Sequence, residues 1–138
     1  MKKSILGALS ALLILGLAVA AAAIPPVRAN IPFAFHVGDV TLPAGEYVIR
    51  ALDQSVGFTY MIQSRSSSES YFVPTAPGQK NYNDNNFQLT FTKYGASCFL
   101  SKIRTGSTEI TTAKGRAERE LSQLKSDKAP VIATLILK

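Results

Sequence analysis

Residues 87–104 read FQLTFTKYGASCFLSKIR, and the reading of this stretch decides the fold. Phe87, Leu89 and Phe91 alternate with Gln88, Thr90 and Thr92, the two-residue period of a strand with one face buried and the other wet. Lys93-Tyr94-Gly95-Ala96 supplies a turn, and Ser97–Arg104 returns as a second strand. Two strands joined by so short a connection must run antiparallel. The stretch therefore predicts a hairpin within an antiparallel sheet.

Upstream the same signals recur. Ile31, Phe33, Phe35 and Val37 alternate with Pro32, Ala34 and His36, which predicts one strand over 31–37 ended by Gly38-Asp39. Leu42-Pro43-Ala44-Gly45 places Pro and Gly where a tight turn wants them, and Glu46–Leu52 resumes as a strand. Gly57–Gln63 and Ser70–Pro74 predict two more, separated by the polar loop Ser64–Glu69. Residues 75–86 hold almost no apolar side chain and several turn formers, so they read as an exposed loop.

Downstream, Gly106 ends the second hairpin strand and Thr108–Thr112 is a short β-branched stretch. The period then changes. Ala113, Ala117, Leu121 and Leu124 fall on one face of a helix over 113–126, with Lys114–Glu118 and Arg116–Glu120 as i,i+4 pairs of opposite charge. Thr111 or Thr112 can cap its start, Lys125 and Lys128 suit its negative end, and Pro130 stops it. Val131–Leu137 is apolar on both faces and predicts an interior strand. The sum is an all-β fold of seven or eight strands, an antiparallel sandwich or small barrel, with one helix before the last strand. Residues 30–138 form a single domain in this reading, and 138 residues leave no room for a separate cofactor domain.

Lys2 and Lys3 precede an uncharged apolar run, Ile5–Ile24, that becomes Ala-rich, the pattern of a secretory signal peptide. Small residues allow cleavage after Ala23 or after Ala29, and Ala29 is favoured here, making residues 1–29 the leader. About 20 apolar residues could also stay as an anchor, but the Ala-rich half and Pro25-Pro26 suit cleavage better. No Cys lies near the boundary to carry a lipid. The expected destination is the periplasm or the cell exterior, with no membrane span once the leader is gone. Three of the 15 basic residues (Lys2, Lys3 and Arg28) and none of the 9 acids lie in the leader, so the formal charge of +6 falls to +3. That modest charge, on an exported protein, argues against nucleic acid as a partner. The strands are also shorter than the 9–11 residues of a membrane barrel.

Catalytic sets are sparse. With one His and one Cys the chain cannot form an internal disulfide or a multi-His metal site, and neither a metal nor a cofactor is expected. His36 could act as a hydrolytic base only with a nucleophile and an orienting carboxylate such as Asp39 or Glu46, and no G-x-S-x-G elbow is present. Cys98 in the apolar run Cys98-Phe99-Leu100 reads as a buried thiol, with an intermolecular disulfide as the functional alternative. Glu118 and Glu120 point apart on a helix and read as a solvated charged face. Asn81, Asn83, Asp84, Asn85 and Asn86 offer oxygen ligands without EF-hand spacing. Tyr60, Tyr71, Tyr82 and Tyr94 could stack sugars, though Trp, the strongest stacker, is absent.

Asn30-Ile31-Pro32-Phe33-x-Phe35-x-Val37-Gly38 followed by Leu42-Pro43-Ala44-Gly45-x-Tyr47 resembles an acidobacterial-type family of small exported β-rich proteins. Phe99-Leu100-Ser101 after a Tyr-Gly turn and Arg116-x-x-Arg119-Glu120-Leu121 extend the resemblance over most of residues 30–138. Ala34 stands where that family usually carries an acidic residue. The resemblance implies export and a β-rich fold, and it implies no activity. The expectation for function is a non-enzymatic exported domain that binds an unidentified ligand or envelope protein, or assembles with copies of itself. A hydrolase using His36 and an accessory or inhibitor-like partner of an envelope protein are the alternatives.

Overall fold

The computed structural model describes residues 25–53, 59–124 and 131–137. Most of the leader, the Ala23 junction, Gly57 and the helix-end residues Lys125, Lys128 and Pro130 lie outside the described residues. In chain order the strands are β1 (Val27–Ile31), β2 (Phe35–Val37), β3 (Val40–Leu42), β4 (Gly45–Asp53), β5 (Thr59–Ser64) and β6 (Ser70–Val73). They continue with β7 (Thr75–Asn81), β8 (Phe87–Tyr94), β9 (Ser97–Thr105) and β10 (Thr108–Thr112). The helix α1 (Arg116–Leu124) precedes β11 (Val131–Leu137), so an all-β fold with one helix before the last strand is observed among the described residues.

The strands form two sheets. One is antiparallel in the order β1-β4-β5-β6, and the other runs β11-β8-β9-β10-β7. The short hairpin β2–β3 joins the second sheet through a parallel contact between His36 and Phe99. The decisive hairpin is observed as β8–β9, closed by the pair Tyr94 and Ser97, with Gly95 in the left-handed region at φ +64°. Among the described residues, eleven strands rather than seven or eight result from three departures.

First, the single strand expected over 31–37 is two. Proline has no N–H and a fixed φ, so it cannot continue a ladder. The chain leaves the first sheet after Ile31, turns at Pro32–Ala34 and enters the second as β2. The alternation survives because both halves face the same core: Ile31, Phe35 and Val37 are buried, and Phe33 meets Phe91 edge-on at 5.0 Å. Second, Val40–Leu42 forms β3, the return arm of the hairpin turned by Gly38. Third, most of the segment expected as a loop is β7, because residues 75–81 pair with β10. Its polar composition hides it: the strand lies at a sheet edge and needs little apolar surface. Only Tyr82–Asn86 connects it to β8.

The core lies between the two sheets. Phe35 of β2 packs edge-on against Tyr47 of β4 (5.3 Å) and Phe91 of β8 (5.5 Å). Ile49, Ile62, Leu89, Leu100 and Ile103 pack in the same core, each contributing roughly 1.5–3 kcal/mol by burial. The Tyr60 hydroxyl and Thr105 Oγ1 share a buried hydrogen bond of 2.7 Å that ties β5 to β9 across the layers. Tyr47 donates from its hydroxyl to the Pro43 carbonyl (2.5 Å), which pins the Leu42–Gly45 turn.

The last strand and the helix differ from expectation in placement. β11 pairs with β8 alone, so it lies at the end of the strand order and not inside it. On α1 the face expected to be apolar and inward is not the buried one: Ala117 is exposed, Leu124 is 81% exposed, and Glu118 is 3% exposed. The cause is the docking of the first turn. Gly115 sits against the Gly38 carbonyl, and Asp39 Oδ1 accepts from the Arg116 N–H at 2.7 Å. This cap comes from the β2–β3 turn rather than from Thr111 or Thr112, and Thr112 instead donates to the Leu100 carbonyl (2.5 Å). The Arg116–Glu120 pair forms as expected, at 3.2 Å.

Candidate functional site

The hairpin β5–β6 leaves one edge of the four-stranded sheet open. Its closing bond runs from the Ser64 N–H to the Glu69 carbonyl (2.9 Å), while the Arg65 N–H turns the other way, to the Glu46 carbonyl (3.0 Å). Antiparallel pairs alternate, so Tyr71 and Val73 direct their main-chain groups toward β5 while Ser70 and Phe72 direct theirs outward. Pro74 confirms the parity, because its carbonyl faces outward and accepts from the Ala113 N–H (2.8 Å). Between Ser70 and Val73, no strand lies on that outward side among the described residues.

The side chain on this edge is apolar. Phe72 is 71% exposed on the outer face, opposite half-buried Met61. Of the other edges, β7 carries Gly78 at φ +97° and Lys80, features that discourage strand addition, β3 is only three residues long, and β1 and β11, the remaining ends of the two strand orders, adjoin each other. β6 has none of these between its ends.

A groove of about 530 Å³ adjoins the edge, with Val40, Phe72, Pro74, Lys114 and Arg119 in its walls. It exists because Gly38, in the left-handed region at φ +58°, lets the β2–β3 turn approach Pro74, and Gly115 lets the helix start approach Gly38. The charges along β6 are asymmetric. At its start Glu69 Oε2 accepts from the Tyr71 hydroxyl (2.8 Å) and from Ser67 Oγ (3.4 Å). That bond to a carboxylate raises the Tyr71 phenol pKa above its ordinary value. At its end stand the exposed side chains of Lys114 and Arg119.

The residues singled out from sequence are placed elsewhere and do not converge. His36 Nδ1 and Thr41 Oγ1 share a hydrogen bond of 2.9 Å, and the imidazole stacks on Phe99 with centroids 4.6 Å apart. Asp39 caps α1, and Glu46 pairs with Arg65 at 3.1 Å, so both carboxylates have other partners. Cys98 is a buried free thiol. Asp84 is held by the Arg104 guanidinium and accepts from Asn86 Nδ2 (2.6 Å). Among the described residues no three His, Cys, Asp or Glu side chains gather as a metal site. Tyr60 and Tyr94 are buried, and Tyr82 lies under Arg104 (3.8 Å to the ring centroid), so the tyrosines form no shared platform.

Glu118 corrects the expectation of a solvated charged face. Burial raises its carboxyl pKa above the ordinary value, opposed by the charge of Lys114. Glu120 remains exposed. Sequence reasoning also missed Phe72, because Tyr71-Phe72-Val73 is a continuous apolar run and gives no sign of which face looks outward.

Comparison with protein-family models, curated proteins and solved structures returned no match.

Proposed function

We propose that this protein is a non-catalytic, exported β domain that works by pairing the β6 edge with an extended segment of a polypeptide. The observation that carries the reading is the outward-facing main chain of Ser70 and Phe72, with an exposed aromatic beside a groove. Strand addition uses main-chain hydrogen bonds for affinity and side-chain pockets for selectivity, and this edge offers both. The core supports the same reading over an internal ligand cavity: Phe35, Tyr47, Tyr60 and Phe91 are fully buried between the sheets, and the groove lies at the surface. No comparable observation favours a hydrolase, since the imidazole of His36 is held by Thr41 and Phe99.

Export is supported by Lys2-Lys3, the apolar run behind them and the family resemblance. The position of β1 favours cleavage after Ala23 over Ala29. Ala29 is 3% exposed and sits mid-strand, so removal at that point would take away three of the five residues of β1.

The test places a photoreactive benzoyl-phenylalanine at position 72 of the full chain, with position 107, in the exposed β9–β10 turn, as control. Irradiation of producing cells is expected to give a discrete cross-linked species from 72 and none from 107. No product from 72 refutes the reading.

A further inference from the structure

We infer that the occupant of the β6 edge is a second copy of this chain, paired antiparallel about a two-fold axis through Tyr71; this rests on the pairing function proposed above. The outward main-chain groups are those of Ser70 and Phe72, two residues apart. In an antiparallel pair, Ser70 then lies opposite Phe72 of the second copy, and Phe72 opposite its Ser70. Each pair exchanges two N–H···O bonds, so four main-chain bonds form and no outward group between Ser70 and Val73 is left over. Sliding the register by one residue brings outward groups against inward ones and loses all four.

Charge selects the same direction. Glu69 stands at the start of β6, while Lys114 and Arg119 line the groove at its end. Antiparallel pairing sets the acid of each copy beside the bases of the other, twice. Parallel pairing would set Glu69 against Glu69 and base against base, which is unfavourable. Glu69 is already oriented by the Tyr71 and Ser67 hydroxyls. On the outer face the two Phe72 rings become diagonal cross-strand neighbours, within reach of each other. The two four-stranded sheets join as one, covering the open edge of each copy.

The experiment is sedimentation of the exported product of the full chain over increasing concentration, beside Phe72→Pro. The Phe72 N–H makes no bond to β5, so proline there removes an outward donor only, and an edge strand tolerates it. The expected result is a concentration-dependent dimer for the parent chain and a monomer for Phe72→Pro with an unchanged circular dichroism spectrum. Glu69→Lys and Arg119→Glu, which leave the main chain intact, should each weaken the dimer about tenfold, and the double variant should regain it. A parent chain monomeric up to about 1 mM, or a dimer indifferent to these substitutions, overturns the inference. The cross-link from position 72 separates the two failures. A product with the mass of two mature chains supports the second copy, and a product of another mass overturns the second copy but leaves edge pairing standing. The absence of any product overturns both.

Discussion

Gly115→Ala is the sharpest probe of how the groove is built, because two opposite signs are at stake. A Cβ at this position would stand 2.5 Å from the Gly38 carbonyl oxygen and 2.7 Å from Asp39 Oδ1. A carbon–oxygen contact is comfortable at about 3.3 Å, so the helix start must retreat by roughly 0.8 Å. That retreat stretches the Arg116 N–H to Asp39 bond, now 2.7 Å, to the limit of hydrogen-bond range. Loss of a cap costs about 0.5–2 kcal/mol, and crowding of a packed contact about 1–3 kcal/mol. Against this, replacing glycine by alanine in an unstrained setting would stabilise by about 0.4–1 kcal/mol. Taken together these terms leave a net loss of about 0.5–4 kcal/mol, or roughly 2–16 °C in Tm for a domain of this size. Thermal unfolding by circular dichroism reads the shift, and amide exchange in α1 should accelerate most. Asp39→Ala should cost about 1 kcal/mol, and the double variant should lose less than the sum because both changes release the same cap. A Gly115→Ala protein melting at or above the parent temperature would refute the close approach of α1 to the β2–β3 turn.

Three other outcomes are expected. Tyr60→Phe deprives the buried Thr105 hydroxyl of its partner across the layers and should cost about 1–3 kcal/mol by urea unfolding; a cost below about 0.5 kcal/mol would count against that bond. Glu118 has a raised pKa in the folded state, so the native protein binds more protons than the unfolded chain between the ordinary value of 4.5 and the raised one. Stability carried by this group therefore falls as pH rises through that window, and Glu118→Gln should gain on the parent as pH increases. Urea midpoints from acid to neutral pH test this, and an advantage that shrinks with rising pH contradicts it. Intact mass of the exported product should show a chain starting at Ile24, which keeps Val27, Arg28 and Ala29 paired with Ile49, Val48 and Tyr47. A start at Asn30 would refute that, and a product retaining Met1 would count against export.

Much of the architecture was legible in the chain because alternation is a local signal. The hairpin over residues 87–104, the turns at Gly38, Leu42–Gly45 and Gly106, and the late helix all announce themselves within a few residues. The strand over 75–81 did not, since an edge strand of Thr, Gly, Gln and Lys satisfies its hydrogen bonds through β10 without needing an apolar face. The helix was legible as a helix, but its buried side was not: the spacing of Ala117, Leu121 and Leu124 offered a face that the Gly115–Gly38 contact turned elsewhere, putting Glu118 inward.

The candidate site shows the same division. Residue type and the flanking turn formers predicted a strand over Ser70–Pro74, observed as Ser70–Val73, and one His and one Cys leave the sequence no multi-His or Cys-rich metal site. Only the tertiary structure decided that this strand ends its sheet, that Phe72 looks outward, and that Glu69 and Arg119 stand at opposite ends of one edge. Strand character follows from the near neighbours of each residue. An open edge is defined by which other strand fails to arrive, and that is settled by chain-distant pairing, here of β7 with β10 once the chain has left β6 at Pro74.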